Sequence, residues 1–510
     1  MYRKTIEILI LFMISTVLAG CRQKVCSTSP AVSAPANQLA EQLAAIEAQV
    51  ESTMKEWNTS GLALAVVKDG KTLILKGYGK RNLSTGEPVT VNTRFYLASI
   101  TKVFTSVLLA KLVEDGKLTW DDTVKRHIPS FAVNDAYFTE NLTIRDVVAQ
   151  KSGMGPHFDD PFTMGLVQKN LPYTLENVLE FLKTAKPLRS FRQEYGYSNT
   201  LSFLMGPVIQ AASGSSWEEY LKYTLLDPLK MNDTGPGGDY YDRMKNVAIP
   251  YVDGPEGEPE MFPMFQDPRS FFGAAGSLFT TARDMDSFLK FLVSGGKGVF
   301  QNAESLASLE VPQIFTGTNH FGNPSWKAAG LGWDMNDHQG VKILSFDGFV
   351  PGFLSIIIVV PHLKLGVAVM INKGISLSHM TTALAVVDIV AGLKRRDYDA
   401  MFRNYFPKPP VRKVDPNSDK DLAQYVGTYE ISIKGQLYTR QIFLKDGKLY
   451  MDNSGSLLGP PMGPTRLFPM ANGTFFSKIA DLVVYFNNAE NGKMMKHVHS
   501  KETFEFKKAD

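Results

Sequence analysis

Thiols are nearly absent from this chain. Its two cysteines, Cys21 and Cys26, both precede the folded body, which therefore has no sulfur for a nucleophile, a disulfide or a zinc site. Charge of one sign is lacking as well: 54 Lys and Arg face 51 Asp and Glu, a net +3. So thin an excess makes no basic stripe for a phosphate backbone, which argues against nucleic acid as a partner. The eight histidines, His127, His157, His320, His338, His362, His379, His497 and His499, show no HExxH or comparable ligand spacing, so neither a metal nor another cofactor is expected. P-loop, GxGxxG and Gly-x-Ser-x-Gly motifs are missing too, which sets aside nucleotide binding and the α/β-hydrolase reading. What is present, 44% apolar and 21% charged residues with 41 Gly and 28 Pro, is the balance of a globular chain and not of a collagen, a coiled coil or a disordered tail. A length of 510 residues allows roughly two to four domains at about 100 to 200 residues each.

Residues 1–20 combine Arg3 and Lys4, an apolar run from Ile8 to Val17, and Leu18-Ala19-Gly20 just before Cys21, the layout of a secretory signal peptide. The run is too short to span a bilayer securely. Leu-Ala-Gly-Cys resembles the lipobox of bacterial lipoproteins, which implies that Cys21 is acylated after removal of the peptide before it. Arg22, where an Asp would signal retention, resembles cargo passed to the outer membrane of Gram-negative bacteria. A lipid-anchored envelope protein facing the periplasm is expected, membrane-associated only through that anchor, with residues 21–37 as a Ser/Pro/Ala tether.

The folded body begins with Leu39, Leu43, Ile46, Val50 and Met54 at helical spacing. Residues 61–67 and 72–79 flank Lys68-Asp69-Gly70-Lys71, the pattern of a hairpin with an Asp-Gly turn. Over 99–116, Val103, Phe104, Val107, Leu108, Leu112 and Val113 form one helical stripe that Gly116 stops. Helical patterns follow over 143–150, 175–183, 199–211, 216–225 and 281–293, strands over 342–347, 353–360 and 365–372, and a closing helix over 377–394. Strands at both ends with helices between predict an α+β domain over 38–396, an antiparallel sheet flanked by helices with a helical insertion. A Pro-rich linker over 397–420 leads to successive hairpin patterns over 421–510, turning at Asp446-Gly447 and Asn491-Gly492. These predict a small all-β barrel, because closure removes exposed strand edges.

Ser-x-x-Lys occurs about twice by chance in a chain of this size, and four times here, at Ser52/Lys55, Ser99/Lys102, Ser287/Lys290 and Ser294/Lys297. Three of these lie within amphipathic helices or a Gly-rich turn and read as surface pairs. Ser99-Ile100-Thr101-Lys102 instead follows the apolar Phe95-Tyr96-Leu97-Ala98 and opens the long apolar helix. There the two side chains share a face one turn apart, at a helix amino end whose free N–H groups favour developing negative charge. Tyr197-Ser198-Asn199 similarly precedes an apolar helix.

Together with Asp227-Pro228-Leu229, Gly273-Ala274-Ala275-Gly276, Gly330-Leu331-Gly332-Trp333 and Pro351-Gly352-Phe353, these motifs resemble the serine β-lactamase/DD-peptidase superfamily, in order, over about residues 45–394. The nearest branch resembles class C β-lactamases and their esterase and peptidase relatives. Tyr425-Val426-Gly427-Thr428-Tyr429-Glu430 is similar to the lipocalin-like barrels that follow some of these hydrolases. The resemblance implies a serine hydrolase that forms an acyl-enzyme on Ser99, acting on a small-molecule or peptide substrate. A hydroxyl needs a base, and with no His near any Ser motif the available ones are Lys102 and Tyr197. Neither works at its free pKa of about 10. Burial would disfavour charged Lys102, and a neighbouring cation would favour a Tyr197 phenolate; either can be the base. The backbone N–H groups of Ser99 and Phe349 would hold the oxyanion, and Asn199 would bind a substrate amide or Lys102.

One departure narrows the substrate. Where the family carries Lys-Thr-Gly or His-x-Gly, this chain has Phe346-Asp347-Gly348. Phe346, with Gly348 and Phe349 on the substrate-lining strand, cannot hold a carboxylate. Loss of such a charge-assisted contact costs about 1.5 to 3 kcal/mol of binding. Strand alternation is expected to turn Asp347 away from the site, and Gln150-Lys151, where the family often has His, is read as structural. An esterase or D-amino-acid peptidase is therefore expected. The alternatives are a β-lactamase or DD-carboxypeptidase acting on penicillin-like or D-Ala-D-Ala substrates, and a non-catalytic envelope binder or sensor.

Overall fold

The computed structural model describes residues 36–154, 174–187, 189–237, 244–254, 257–261, 273–319, 325–350, 352–374, 376–408, 414–415, 421–433, 436–453, 462–470, 474–477, 482–489, 492–499 and 502–509. Cys21, Cys26, His157, His320, Pro351, the signal-like residues 1–20 and parts of the tether and linker lie outside these. Helix α1 (Ala36–Glu56) leads into the hairpin β1 (Gly61–Lys68) and β2 (Lys71–Gly79). Its turn places Asp69 and Gly70 at φ 52° and 74°, the left-handed pair that matches the twist of a two-residue hairpin.

Seven further strands are β3 (Phe95–Tyr96), β4 (Gly235–Pro236), β5 (Tyr251–Asp253), β6 (Pro259–Met261), β7 (Leu278–Thr280), β8 (Ile314–Asn319) and β9 (Ser325–Ala329). They are followed by β10 (Asp334–His338), β11 (Val341–Val350), β12 (Phe353–Val360) and β13 (Leu365–Ile371). The principal sheet has the order β2-β1-β13-β12-β11-β10-β9-β8, and its neighbours pair antiparallel. Amino-terminal β1 pairs with carboxy-terminal β13, as expected of a sheet closed by both ends of the segment. β12 and β13 are buried along their whole length, so they read as unbroken apolar runs.

The helices that position the site are α2 (Thr101–Glu114), α3 (Asn199–Ser213) and α4 (Ala282–Val293), with α5 (Ser378–Ala391) and α6 (Tyr398–Tyr405) closing the domain. Eleven of the fourteen residues of α2 are buried, which makes it the central helix that the apolar stripe predicted. Gly332 in the Gly330-Leu331-Gly332-Trp333 segment has φ 81° and lies where a Cβ would run into Ser106 of α2. The glycine is what allows this chain segment to press against the helix.

Residues 398–405, expected to be part of a linker, form α6 instead, because Tyr398 and Phe402 bury against Trp57 and Ala385, and two further differences from the sequence reading appear. β8, β9 and β10 were not expected, because Asp334-Met335-Asn336-Asp337-His338 has little strand propensity and is held by its pairing with β11. The 216–225 helix divides into Trp217–Leu221 and a wider π turn over Lys222–Leu226.

The last eight strands, from Gly427–Ile433 to Glu502–Lys508, run in chain order around a closed barrel. Tyr429↔Lys508 and Glu430↔Lys507 seal it. Its interior holds Tyr429, Ile442, Leu449, Met451, Phe475, Val484 and Phe506. Among the described residues no helix is long and apolar enough to cross a membrane, and no cluster of His, Cys, Asp and Glu could hold a metal.

Candidate active site

Ser99 lies in a 3₁₀ turn, Ala98–Ile100, just ahead of α2. Ala98 is held at φ 49°, an uncommon conformation for alanine and the kind of backbone strain that collects at functional sites. Thr101 secures the turn: its hydroxyl donates to the Ala98 carbonyl at 2.7 Å and accepts the Leu278 N–H at 3.1 Å.

One turn on, Lys102 is 5% exposed. Its Nζ lies 2.7 Å from Asn199 Oδ1, 2.6 Å from the Ala275 carbonyl and 3.2 Å from Ser99 Oγ. The Gly273-Ala274-Ala275 turn thus has a chemical use that its sequence did not disclose, since one backbone oxygen fixes the amine and its neighbour accepts from Thr105 at 2.6 Å. Tyr197 donates to Ser99 Oγ at 2.7 Å, and Lys102 Nζ sits 4.8 Å from the centre of its ring. The three groups singled out from the sequence, brought from positions 99, 102 and 197, are therefore in contact.

The segment carrying Tyr197 is set by two side chains. Ser198 caps α3, accepting from the Leu201 N–H at 3.2 Å. Gln150, at φ 55°, accepts the Gly196 N–H on its carbonyl at 2.7 Å and the Ser198 N–H on Oε1 at 2.8 Å. Its amide then donates to Ser202 Oγ at 2.9 Å. Gln150, expected from the sequence to be structural, holds the segment that carries Tyr197.

The face assignments on β11 correct the sequence reading. Phe346 turns into the core, 5% exposed, and lines a small cavity with Lys102 and Gln150, so its side chain is not open to substrate. Gly348 faces the same way, and a Cβ there would strike the Leu97 carbonyl; its contribution is close backbone approach. The alternation then places Asp347 and Phe349 on the open face, where both are exposed. As the alternation implied, Asp347 falls on the face opposite Phe346, yet it is close enough for its charge to bear on Lys102, Tyr195 and Tyr197. Beyond Ser345 β11 has no pairing with β10, so residues 346–350 offer an open strand edge beside Ser99.

Burial is the dominant electrostatic influence. It holds Lys102 well below the ordinary lysine range, against a weaker upward pull from Asp347. It pushes the Tyr197 phenol up, outweighing the hydrogen bond to Ser99, so burial overrides the phenolate-favouring effect of a nearby cation. Withdrawal from water by the surrounding wall also raises Asp347, although the residue keeps exposed surface. Asp334 is pushed up to about 7, by burial first and by Asp347 second. Burial thus favours the uncharged form of both groups that touch Ser99, the amine of Lys102 and the phenol of Tyr197.

Comparison with known proteins agrees with this geometry. A fungal protein named Unguisins hydrolase ungD, from Aspergillus violaceofuscus, is 27% identical over 503 residues, spanning 88% of this chain and 85% of that one. Protein flp of Staphylococcus aureus is 25% identical over 338 residues, 64% of this chain and 62% of its own length. The octameric penicillin-binding protein homologue from Pyrococcus abyssi shares the fold, with a TM-score of 0.59 at 23% identity, covering 91% of this chain and all of that one. The family model Beta-lactamase matches residues 46–391, the stretch that carries every group just described, and the chain belongs to that family, as a serine hydrolase of the serine β-lactamase/DD-peptidase superfamily.

Proposed function

We propose that the protein cleaves an ester or amide through an acyl-enzyme on Ser99, with Lys102 as the base and Tyr197 as the proton carrier to the leaving group. The observation that carries this is the arrangement around Lys102 Nζ. Nζ has three oxygens within hydrogen-bond distance, the acceptors Asn199 Oδ1 and the Ala275 carbonyl and the hydroxyl Ser99 Oγ. In a neutral amine those two acceptors take the two N–H groups and leave the lone pair aimed at the serine proton. Tyr197, a protonated phenol, donates to the same oxygen.

In acylation Ser99 Oγ bonds to the carbonyl carbon while its proton passes to Lys102. Negative charge gathers on the carbonyl oxygen, facing the backbone N–H groups of Ser99 and Phe349 at the open edge of β11. As the bond to the leaving group breaks, Tyr197 protonates it and recovers a proton from Lys102. Water then attacks the acyl group with Lys102 again as base, and Ser99 is restored. Binding without turnover gains no support from a site in which all three reacting groups touch.

The esterase or peptidase reading is favoured over penicillin-like substrates by β11, which offers a buried phenyl ring and a carboxylate where a substrate carboxylate would need a cation. The fungal relative's name supports a hydrolase but does not carry its substrate to this chain. A fluorophosphonate probe should label Ser99, and Ser99→Ala should abolish labelling and turnover, whereas a fluorescent penicillin should acylate slowly or not at all. An adduct on another serine would overturn the assignment. Lipid anchoring at Cys21, with an outer-membrane, periplasm-facing location, is also proposed; intact mass of the membrane fraction from the native host would show the acyl chains or their absence.

A further inference from the structure

The open face of β11 bears on what the substrate carries. A cavity of about 330 Å³ is lined by Tyr195, Asp334, Asp347 and Lys327 and reaches Leu384 and Phe402 under α5 and α6; Asp347 joins it to the Ser99 turn, because the next residue, Gly348, lies against Leu97. Asp347 stands at its near end, two residues before Phe349 on the same strand face, a spacing of about 7 Å. That is the reach of a group carried a few bonds from a carbonyl whose oxygen meets the Phe349 N–H. Among the described residues, Lys327 and Lys102 are the basic groups that bear on Asp347, and burial disfavours charge on Lys102. Lys102 is spent on Ser99, Asn199 and Ala275, and Lys327 is shared with Asp334. Among the described residues, the wall beside Ser99 therefore sets the carboxyl groups of Asp347 and Asp334 against the single ammonium of Lys327. Arg396 lies at the cavity's far end, by Tyr398.

We propose that Asp347 selects the substrate, its carboxylate receiving a protonated amine carried within a few bonds of the scissile carbonyl. This rests on Ser99 being the nucleophile. Substrates with a free amine there are preferred over their N-acylated or carboxylate-bearing counterparts. The amine can belong to the acyl half, as in an aminoacyl amide, or to the leaving group, as in an aminoalkyl ester. A charge-assisted hydrogen bond of this kind favours the amine about tenfold to a hundredfold.

The test measures kcat/KM for matched pairs on the full chain. One arm compares alanine p-nitroanilide, in both enantiomers, with N-acetyl- and N-succinyl-alanine p-nitroanilide. The other compares 2-aminoethyl with 2-hydroxyethyl phenylacetate. In at least one arm the wild-type ratio of amine to neutral substrate should exceed tenfold. In Asp347→Asn that ratio should collapse towards one, mainly through KM, and Asp347→Lys should move the preference to the succinyl substrate. The side chain is exposed, so both variants should melt like the wild type, and fluorophosphonate labelling of Ser99 verifies that each site is assembled. Ratios near one in both arms, or a ratio that survives Asp347→Asn, would refute the amine preference while leaving the nucleophile intact. Failure of the wild type to label at Ser99 would instead remove the reading beneath it.

Discussion

Burial disfavours charge on an amine and on a phenol alike, and around Ser99 this favours a lone pair on Lys102 and a donated proton from Tyr197 at one hydroxyl. The pH dependence follows from the two directions. Lys102 must be neutral to accept a proton, so kcat/KM for an uncharged ester should rise as pH climbs through its lowered pKa. Tyr197 is displaced upward, so its phenol stays protonated and adds no alkaline limb in the range where the fold survives. The Asp347 carboxylate favours the ammonium form of Lys102. Asp347→Asn should therefore move the Lys102 limb to lower pH, and a stopped assay with p-nitrophenyl acetate across a full pH series would show it. An unmoved limb would mean that another group sets it.

Among elements, those with strong local signals were legible in the sequence. The Asp69-Gly70 hairpin, the apolar stripe of α2, the unbroken runs of β12 and β13 and the Ser-x-x-Lys at a helix start all announce themselves by turn chemistry or periodicity. What stayed hidden depends on packing between distant segments. β10 is a strand because β11 accepts it, and the face on which Asp347 falls depends on Gly348 pressing against Leu97. Gln150 gave no signal of its hold on the Tyr197 segment because its partners lie about fifty residues away, at Ser198 and Ser202.

That junction makes a prediction of its own. Gln150→Ala frees two buried partners, a loss of about 1 to 3 kcal/mol for each group left unsatisfied. Tyr197 would lose its seat, so kcat should fall at least tenfold with KM less affected. Gln150→Glu keeps the acceptor for the Ser198 N–H and should restore most of the turnover. Equal damage from both variants, with equal loss of melting temperature, would reduce Gln150 to a general stability role.

At the scale of the whole molecule, the beginning and end of the hydrolase segment are clasped to each other. Arg403 of α6 lies 3.6 Å above the Trp57 ring, with its Nε donating to Glu56 Oε1 at 2.9 Å and an Nη to the Glu56 carbonyl at 2.8 Å. Asp399, one turn earlier, accepts from Trp57 Nε1 at 2.7 Å and from Thr53 at 2.9 Å. Trp57 is 5% exposed, so one side chain supplies apolar burial, a cation–π surface and the donor that compensates a carboxylate drawn out of water. Removing all three in Trp57→Ala should cost about 3 to 5 kcal/mol, the range for emptying a buried Trp site. Trp57→Phe keeps a ring under Arg403 and loses the N–H, and should cost about 1 to 3 kcal/mol by leaving Asp399 short of a donor. Denaturant titration separates the two. If Phe proves as damaging as Ala, the Asp399 hydrogen bond dominates the clasp; if neither variant lowers the midpoint, the two ends of the segment are held by the β1–β13 pairing alone.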